Sequence, residues 1–395
     1  MIRILLSAIL FAACQSASSQ KNTAEGPKPA KIVKVGAEQL DVVLPKLKNK
    51  RVALVVNHTS LVGHTHLVDT LLASGIHVVK VFGPEHGFRG NAADGQTITD
   101  SLDTKTKLPV LSLYGKTKKP TPNHLKNIDL VIFDIQDVGT RFYTYISTMH
   151  YVLEACAEQG VKVLVLDRPN PNDFIDGPFN RKPLQSFVAM HAIPAVHGLT
   201  VGELATMINE EKWLANGVRC DVEIIKVKGW QHGQPYVLPV KPSPNLPNQQ
   251  AVNLYPSLCF FEGTVISIGR GTPFPFQVAG NPLLTTYSFS FVPNTIAGVA
   301  VKPPHENKTC YGLDLRTAKA ERRINLKYLL ELFKAYPEKE KFFTDYINLL
   351  AGNPEFKNDV LAGKTEEEIR ATWQKELDAY KTLRKKYVLY PEANH

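Results

Sequence analysis

From about residue 31 onward, continuous apolar runs alternate with stretches whose apolar positions recur at helical spacing. VALVVN at 52–57 has the unbroken apolar pattern of a strand covered on both faces. A helix is predicted at 67–74, where Gly75 stops it. Further strands are predicted at 77–82, 108–114, 129–135, 161–167 and 221–227. A helix at 143–159 ends at Gly160, and another at 200–214 opens with Thr200 and Glu203 in capping-box spacing. This alternation predicts an α/β fold, a doubly wound parallel sheet over residues 31–244. Proline density then rises: PVKPSPNLPNQ at 239–249 carries four prolines and predicts a crossing between domains. Past it, strands at 263–269 and 285–292 and helices at 326–336 and 366–386 predict a smaller α+β domain over 245–395.

The opening residues have a different character. MIRILLSAILFAAC places a charged Arg3 before a short apolar stretch and two alanines before Cys14, the pattern of a lipoprotein signal peptide. Residues 15–30 are small, polar and proline-bearing, as a flexible tether is. These features predict export to the periplasmic side of the cell envelope, with lipidation at Cys14 as the anchor. After them no apolar run is long enough to span a bilayer as a helix.

Composition adds exclusions. A 44% hydrophobic fraction over 395 residues excludes a mainly disordered chain. The formal charge of +9 rests on scattered lysines; the runs at 48–51 and 116–119 lack interleaved aromatics and read as solvated surface, so no nucleic-acid partner is predicted. Cys156, Cys220, Cys259 and Cys310 form no CxxC pair, and buried free thiols are predicted for Cys156 and Cys259.

Chemistry concentrates where the predicted strands end, the place where open parallel sheets bind ligands. GPEHGFRG at 83–90 delivers Glu85, His86 and Arg89. QDVGTRFYTY at 136–145 delivers Gln136, Asp137, Arg141 and Tyr143, and DRPNPND at 167–173 delivers Asp167, Arg168 and Asn170. The glycines at 83, 87 and 90 do not match GxGxxG, so no nucleotide cofactor is predicted. His58, His64, His66 and Asp69 lie near one loop without metal-site spacing, so no metal is predicted. No GxSxG elbow supports an esterase or amidase. Carboxylate chemistry remains: Glu85 in a glycine-framed turn is placed for half-burial, which raises a carboxyl toward the range of a general acid. Asp134, Asp137, Asp167 and Glu262 are candidates for a second carboxylate, while Asp134 and Asp167 equally suit structural pairing with Arg141 and Arg168.

Seven ordered motifs carry a resemblance: GPEHGFRG, TKLPVLSLYGKTKKPT, FDIQDVGTRFYTYISTM, LDRPNP, HGLTVGELA, PSPNLP and LYPSLCFFEGTVISIGRGT. Together they resemble the exo-β-N-acetylmuramidase family. The resemblance implies a Rossmann-like domain with an auxiliary domain completing a cleft, and no cofactor. It implies release of N-acetylmuramic acid from non-reducing ends of peptidoglycan fragments, disaccharides or muropeptides. Glu85 matches the glutamate taken as catalytic in the family. Asp137 is the expected partner, orienting the 2-acetamido group if the substrate assists its own cleavage. Arg89, Arg141, Arg168 and Arg270 are candidates for the lactyl carboxylate, and Asn170 and Asn245 for hydroxyl or acetamido groups. His86, Gln136, Tyr143, Asp167 and Glu262 complete the expected substrate-binding set. The sequence departs from the family at NHTS (57–60), NAADGQ (91–96) and KPPHENKTCYG (302–312). The alternative reading is an amino-sugar-binding lipoprotein that turns nothing over.

Overall fold

A computed structural model describes residues 32–89 and 100–393. The signal sequence, Cys14, the tether and the 91–96 motif lie outside the described residues. In chain order the elements begin with α1 (Leu40–Leu47), β1 (Val52–Val56), β2 (Leu61–Val62), β3 (Thr65–His66), α2 (Leu67–Ala73), β4 (Val78–Gly83), β5 (Ser101–Leu102) and β6 (Pro109–Ser112). There follow α3 (Pro122–Leu125), β7 (Leu130–Asp134), α4 (Tyr145–Gln159), β8 (Lys162–Leu166), β9 (Ile175–Phe179), β10 (Pro194–His197), α5 (Val201–Glu210) and β11 (Val222–Ile225). The C-terminal part holds α6 (Gln249–Leu258), β12 (Val278–Asn281), β13 (Phe289–Phe291), β14 (Cys310–Asp314), α7 (Lys327–Ala335), α8 (Tyr346–Ala351), α9 (Glu355–Leu361) and α10 (Glu366–Arg384).

Seven strands form the main sheet in the order β11-β8-β7-β1-β4-β6-β5. All pairings are parallel except that of the short edge strand β5 with β6. Every residue of β1 and β7 is buried, which is why both read as unbroken apolar runs. The chain leaves β1 toward β4 on one side and leaves β7 toward β8 on the other. The crevice beyond the carboxyl ends of β1 and β7 is therefore the topological switch point. The predicted capping box is present, Thr200 Oγ1 accepting from the Glu203 amide at 3.2 Å and Glu203 Oε2 from the Thr200 amide at 2.9 Å.

The smaller C-terminal part contains an antiparallel sheet, β12-β14-β13. It shares one hydrophobic cluster with the main sheet, running from Val55 and Phe133 through Phe142 and Tyr255 to Phe356 and Trp373. Phe142 meets both Tyr255 and Phe260 edge-on at 5.6 Å. Two expectations change. The segment 263–269 is not a strand but an extended stretch with single bridges at Thr264 and Ser267. Gly263 lies so close to the Ile347 backbone of α8 that a Cβ would collide with it. The expected crossing at 239–249 ends in a helix, α6, because the Asn248 side chain caps it by accepting from the Ala251 amide at 3.0 Å. Cys156, Cys220, Cys259 and Cys310 are buried and free. No helix among the described residues is long and apolar enough to cross a membrane.

The C-terminal segment is clasped by a buried ion triad. His232 Nδ1 lies 2.8 Å from Asp173 and Nε2 2.9 Å from Glu203, while the His232 amide and carbonyl bond to Pro391 and Ala393. Burial alone would lower this imidazole, but the hydrogen bonds to Asp173 and Glu203 outweigh it and push His232 up from 6.5 to about 9. A raised folded-state pKa gives stability that is complete below the unfolded value and is lost as pH rises through the folded one. His232→Gln is therefore expected to cost about 3 kcal/mol near pH 6 and markedly less near pH 10, measured by denaturant unfolding. Equal losses at both pH values would show that no proton is held there.

Candidate active site

Strand β4 ends at Gly83, and the next residues turn back, the Gly87 amide bonding the Pro84 carbonyl at 2.9 Å. His86 adopts a left-handed backbone at φ 68°, followed by Gly87 at φ 76°. Such a conformation in a residue with a side chain costs about 1–3 kcal/mol and persists only where the surroundings enforce it. The turn presents Glu85, half-buried, to a pocket where Thr144 Oγ1 donates to Glu85 Oε2 at 2.8 Å. The pocket has a volume of about 180 Å³ and draws its lining from both parts of the chain. Glu85 and His86 come from the end of β4, Tyr143 from the β7–α4 connection and Tyr145 from the first residue of α4. Phe187 comes from the excursion between β9 and β10, Asn245 from the proline-rich segment, and Glu262 and Arg270 from beyond α6.

The polar groups of this lining are held in place. Tyr143 Oη donates to the Pro242 carbonyl at 2.9 Å, and its ring meets Tyr145 and Tyr255 edge-on at 4.9 and 5.7 Å. Burial pushes both Tyr143 and Tyr145 up, so both phenols stay protonated donors. Arg270 Nε donates to Glu262 Oε1 at 2.9 Å and Nη2 bonds the same oxygen, with the guanidinium 5.1 Å over the Phe276 ring. Asn245 Nδ2 donates to the Val299 carbonyl at 3.1 Å, while its buried Oδ1 has no partner among the described residues.

Of the expected site residues, the structure thus brings Glu85, His86, Tyr143, Asn245, Glu262 and Arg270 together. The others are placed elsewhere, each held by specific bonds. Asp137 is buried outside the lining, with Oδ1 accepting from the Gly139 amide at 2.7 Å and Oδ2 unpartnered; burial pushes its carboxyl up to about 7. Its charge acts on Tyr143 and Tyr145. Gln136 donates to the carbonyls of Asp137 and Pro169, both at 2.9 Å. Arg168 forks onto Asp134 at 2.6 and 3.0 Å, both side chains buried. Asp167 caps α5, accepting from Gly202 N at 2.8 Å and from the Thr200 and Tyr390 hydroxyls at 2.7 and 2.5 Å. Asn170 donates to the Leu199 carbonyl at 3.0 Å and packs where a side chain on Gly139 would collide. Arg89 is spent on Asp103 at 2.8 Å and Asp69 at 3.5 Å. His66 bonds the Asn57 carbonyl and caps α2, and His58 bonds the Lys241 carbonyl.

Arg141 differs from these in having no carboxylate. Its fully buried guanidinium donates to four carbonyls, those of Pro178, Ile193, Leu350 and Ala351, at 2.8, 2.7, 2.8 and 2.8 Å. Burial pulls it down to about 9, so it remains charged at neutral pH. Sequence reasoning missed Thr144, Tyr145 and Phe187. The first two sit in the TRFYTY motif beside quoted candidates, whereas nothing in the pattern around Phe187 marks it.

Models of exo-β-N-acetylmuramidase NamZ match the chain in two consecutive pieces, the N-terminal model over residues 52–250 and the C-terminal model over 253–390. The chain belongs to the NamZ family. It is 37% identical to the peptidoglycan β-N-acetylmuramidase NamZ of Bacillus subtilis over 98% of this chain and 97% of that protein. It is similar to two crystal structures of DUF1343-family proteins from Bacteroides fragilis. One has a TM-score of 0.86 at 45% identity and covers 92% of this chain and all of the other. The second has a TM-score of 0.77 at 32% identity and covers 91% of this chain and 99% of the other. In this NamZ-family chain, Glu85, Thr144 and Asn245 fall within the N-terminal match and Glu262 and Arg270 within the C-terminal one.

Removing Arg141 takes the guanidinium donors away from four carbonyls. Arg141→Ala is expected to destabilise the fold by at least about 3 kcal/mol or to abolish soluble expression. Arg270→Ala is expected to change unfolding by no more than about 1 kcal/mol. Comparable unfolding midpoints for the two variants would refute the assignment of Arg141 to the framework.

Proposed function

We propose that the chain is an exo-acting glycoside hydrolase that releases N-acetylmuramic acid from non-reducing ends of peptidoglycan fragments. The observation that carries this is the placement of Glu85 in a pocket whose lining also presents Glu262 and Arg270.

In this reading Glu85, oriented by Thr144, gives its proton to the glycosidic oxygen as the bond from that oxygen to the anomeric carbon breaks. Positive charge develops on the sugar ring, and water adds at the anomeric carbon as its released proton restores the Glu85 carboxyl. Glu262 supplies negative charge to the pocket, and Arg270 is assigned to the lactyl carboxylate, the group that separates muramic acid from glucosamine. Asn245 is assigned to the acetamido N–H, which its Oδ1 is suited to accept. Asp137, outside the lining with Oδ1 on the Gly139 amide, is assigned to holding the loop that leads to Tyr143. Lipid anchoring at Cys14 on the periplasmic side belongs to the same proposal and rests on residues 1–14 alone.

A chromogenic β-N-acetylmuramide is expected to be cleaved, and the matching N-acetylglucosaminide spared. Glu85→Gln is expected to lose about 10²- to 10⁴-fold in kcat, and Arg270→Ala to act mainly through KM. Binding of N-acetylmuramic acid without cleavage of either substrate would make the protein a binder instead.

A further inference from the structure

The excursion at residues 180–193, between β9 and β10, has two sides. At its tip, Ser186 and Ala189 pair through both amides at 3.2 and 3.1 Å, and the Phe187 carbonyl is anchored by Ser147 Oγ at 2.7 Å. Phe187 and Val188 from this tip line the pocket that holds Glu85. The base of the same excursion lines a second cavity, of about 310 Å³, together with Lys212 and Trp213 from beyond α5.

This second cavity has the polar anatomy of a ligand site. Two buried side chains in its lining each leave a polar atom unpartnered among the described residues: His191 at Nδ1 and Asn180 at Oδ1. Buried polar atoms in that state cost stability and call for an explanation. The other ring nitrogen of His191 is committed to His150 Nδ1 at 3.1 Å, and its ring stacks on Trp213 at 5.8 Å. Lys182 and Lys212, both exposed, lie in the lining, and neither is paired with a carboxylate among the described residues. The nearby Glu154 is already engaged by Lys119 at 2.7 Å and the Ala215 amide at 2.6 Å. The lining therefore offers two cations, an aromatic ring and amide groups, and no carboxylate.

We infer that this cavity is a distal subsite for the remainder of the glycan, taking an acidic acetamido sugar further along the chain from the bond that is cut. The lysines meet the sugar's carboxylate, Trp213 its apolar face, and Asn180 its amide or hydroxyl donors. One hairpin walls both, its tip lining the Glu85 pocket and its base lining the cavity. This inference rests on the glycosidase reading and adds a length preference to it.

The test compares N-acetylmuramic acid release from the disaccharide and from the tetrasaccharide of alternating muramic acid and glucosamine. The variant carries Lys182→Glu and Lys212→Glu, two exposed positions whose change leaves the fold intact. It is expected to handle the disaccharide within about twofold of wild type and to lose about tenfold in kcat/KM on the tetrasaccharide, chiefly through KM. Trp213→Ala is expected to shift the same ratio in the same direction. A tetrasaccharide kcat/KM within twofold of wild type for the double variant would overturn the subsite while leaving the glycosidase reading standing. No release from the disaccharide by wild type would overturn both.

Discussion

The structure depends on one buried cation. Arg141 sits on the connection that follows β7, and its four carbonyl partners belong to three separate pieces of chain. Pro178 and Ile193 are on or beside the paired strands β9 and β10, and Leu350 and Ala351 are the last residues of α8. Carbonyls at a helix end have no partners within the helix and carry its negative end, so a guanidinium there satisfies them twice over. Gly352 follows with φ 76°, and a Cβ on it would press on both Arg141 and Asn180. Among the described residues no carboxylate is paired with this charge; the carbonyl dipoles offset its desolvation.

That node positions the pocket. Tyr143, Thr144 and Tyr145 follow Arg141 within one short turn, so fixing the guanidinium fixes the origin of α4 and the group that orients Glu85. The same node holds the base of the excursion whose tip carries Phe187. It also binds the C-terminal part, from which Glu262 and Arg270 approach, onto the sheet. The switch point between β1 and β7 thus supplies an open crevice, and the C-terminal part closes it through a hydrophobic cluster continuous with the sheet's own.

How much of this was legible follows from which signals are local. The parallel strands were readable because burial on both faces leaves unbroken apolar runs, and α4 and α5 because Gly160 and the Thr200–Glu203 pair mark their ends. The strands β9 and β10 and the helix α6 were not, since IDGPF and PAVH are short and proline-bearing, and Pro256 lies inside α6. Glu85 was legible from its glycine-framed turn and Arg270 from its motif. That Arg270 and Glu262 share the pocket with Glu85 was legible only through the resemblance, because contacts so distant in sequence leave no periodic trace.

Most candidates that lie outside the pocket share a property that no motif displays, the depth at which they are placed. Asp134, Asp167 and Arg168 reach the same strand ends as Glu85, carry the same chemistry and are buried, each with its bonding capacity largely filled by protein groups. A buried ion pair adds little net stability, but once one partner is present the other is required, so such pairs fix the paths of the loops that bear them. Glu85, Glu262 and Arg270 are half-buried. A group that exchanges protons or grips a charged ligand must be reachable by both. Rigid, buried pairs underneath and partly solvated groups above are two demands of one site: the deep charges hold the loops still, and the shallow ones lie where a ligand can reach them.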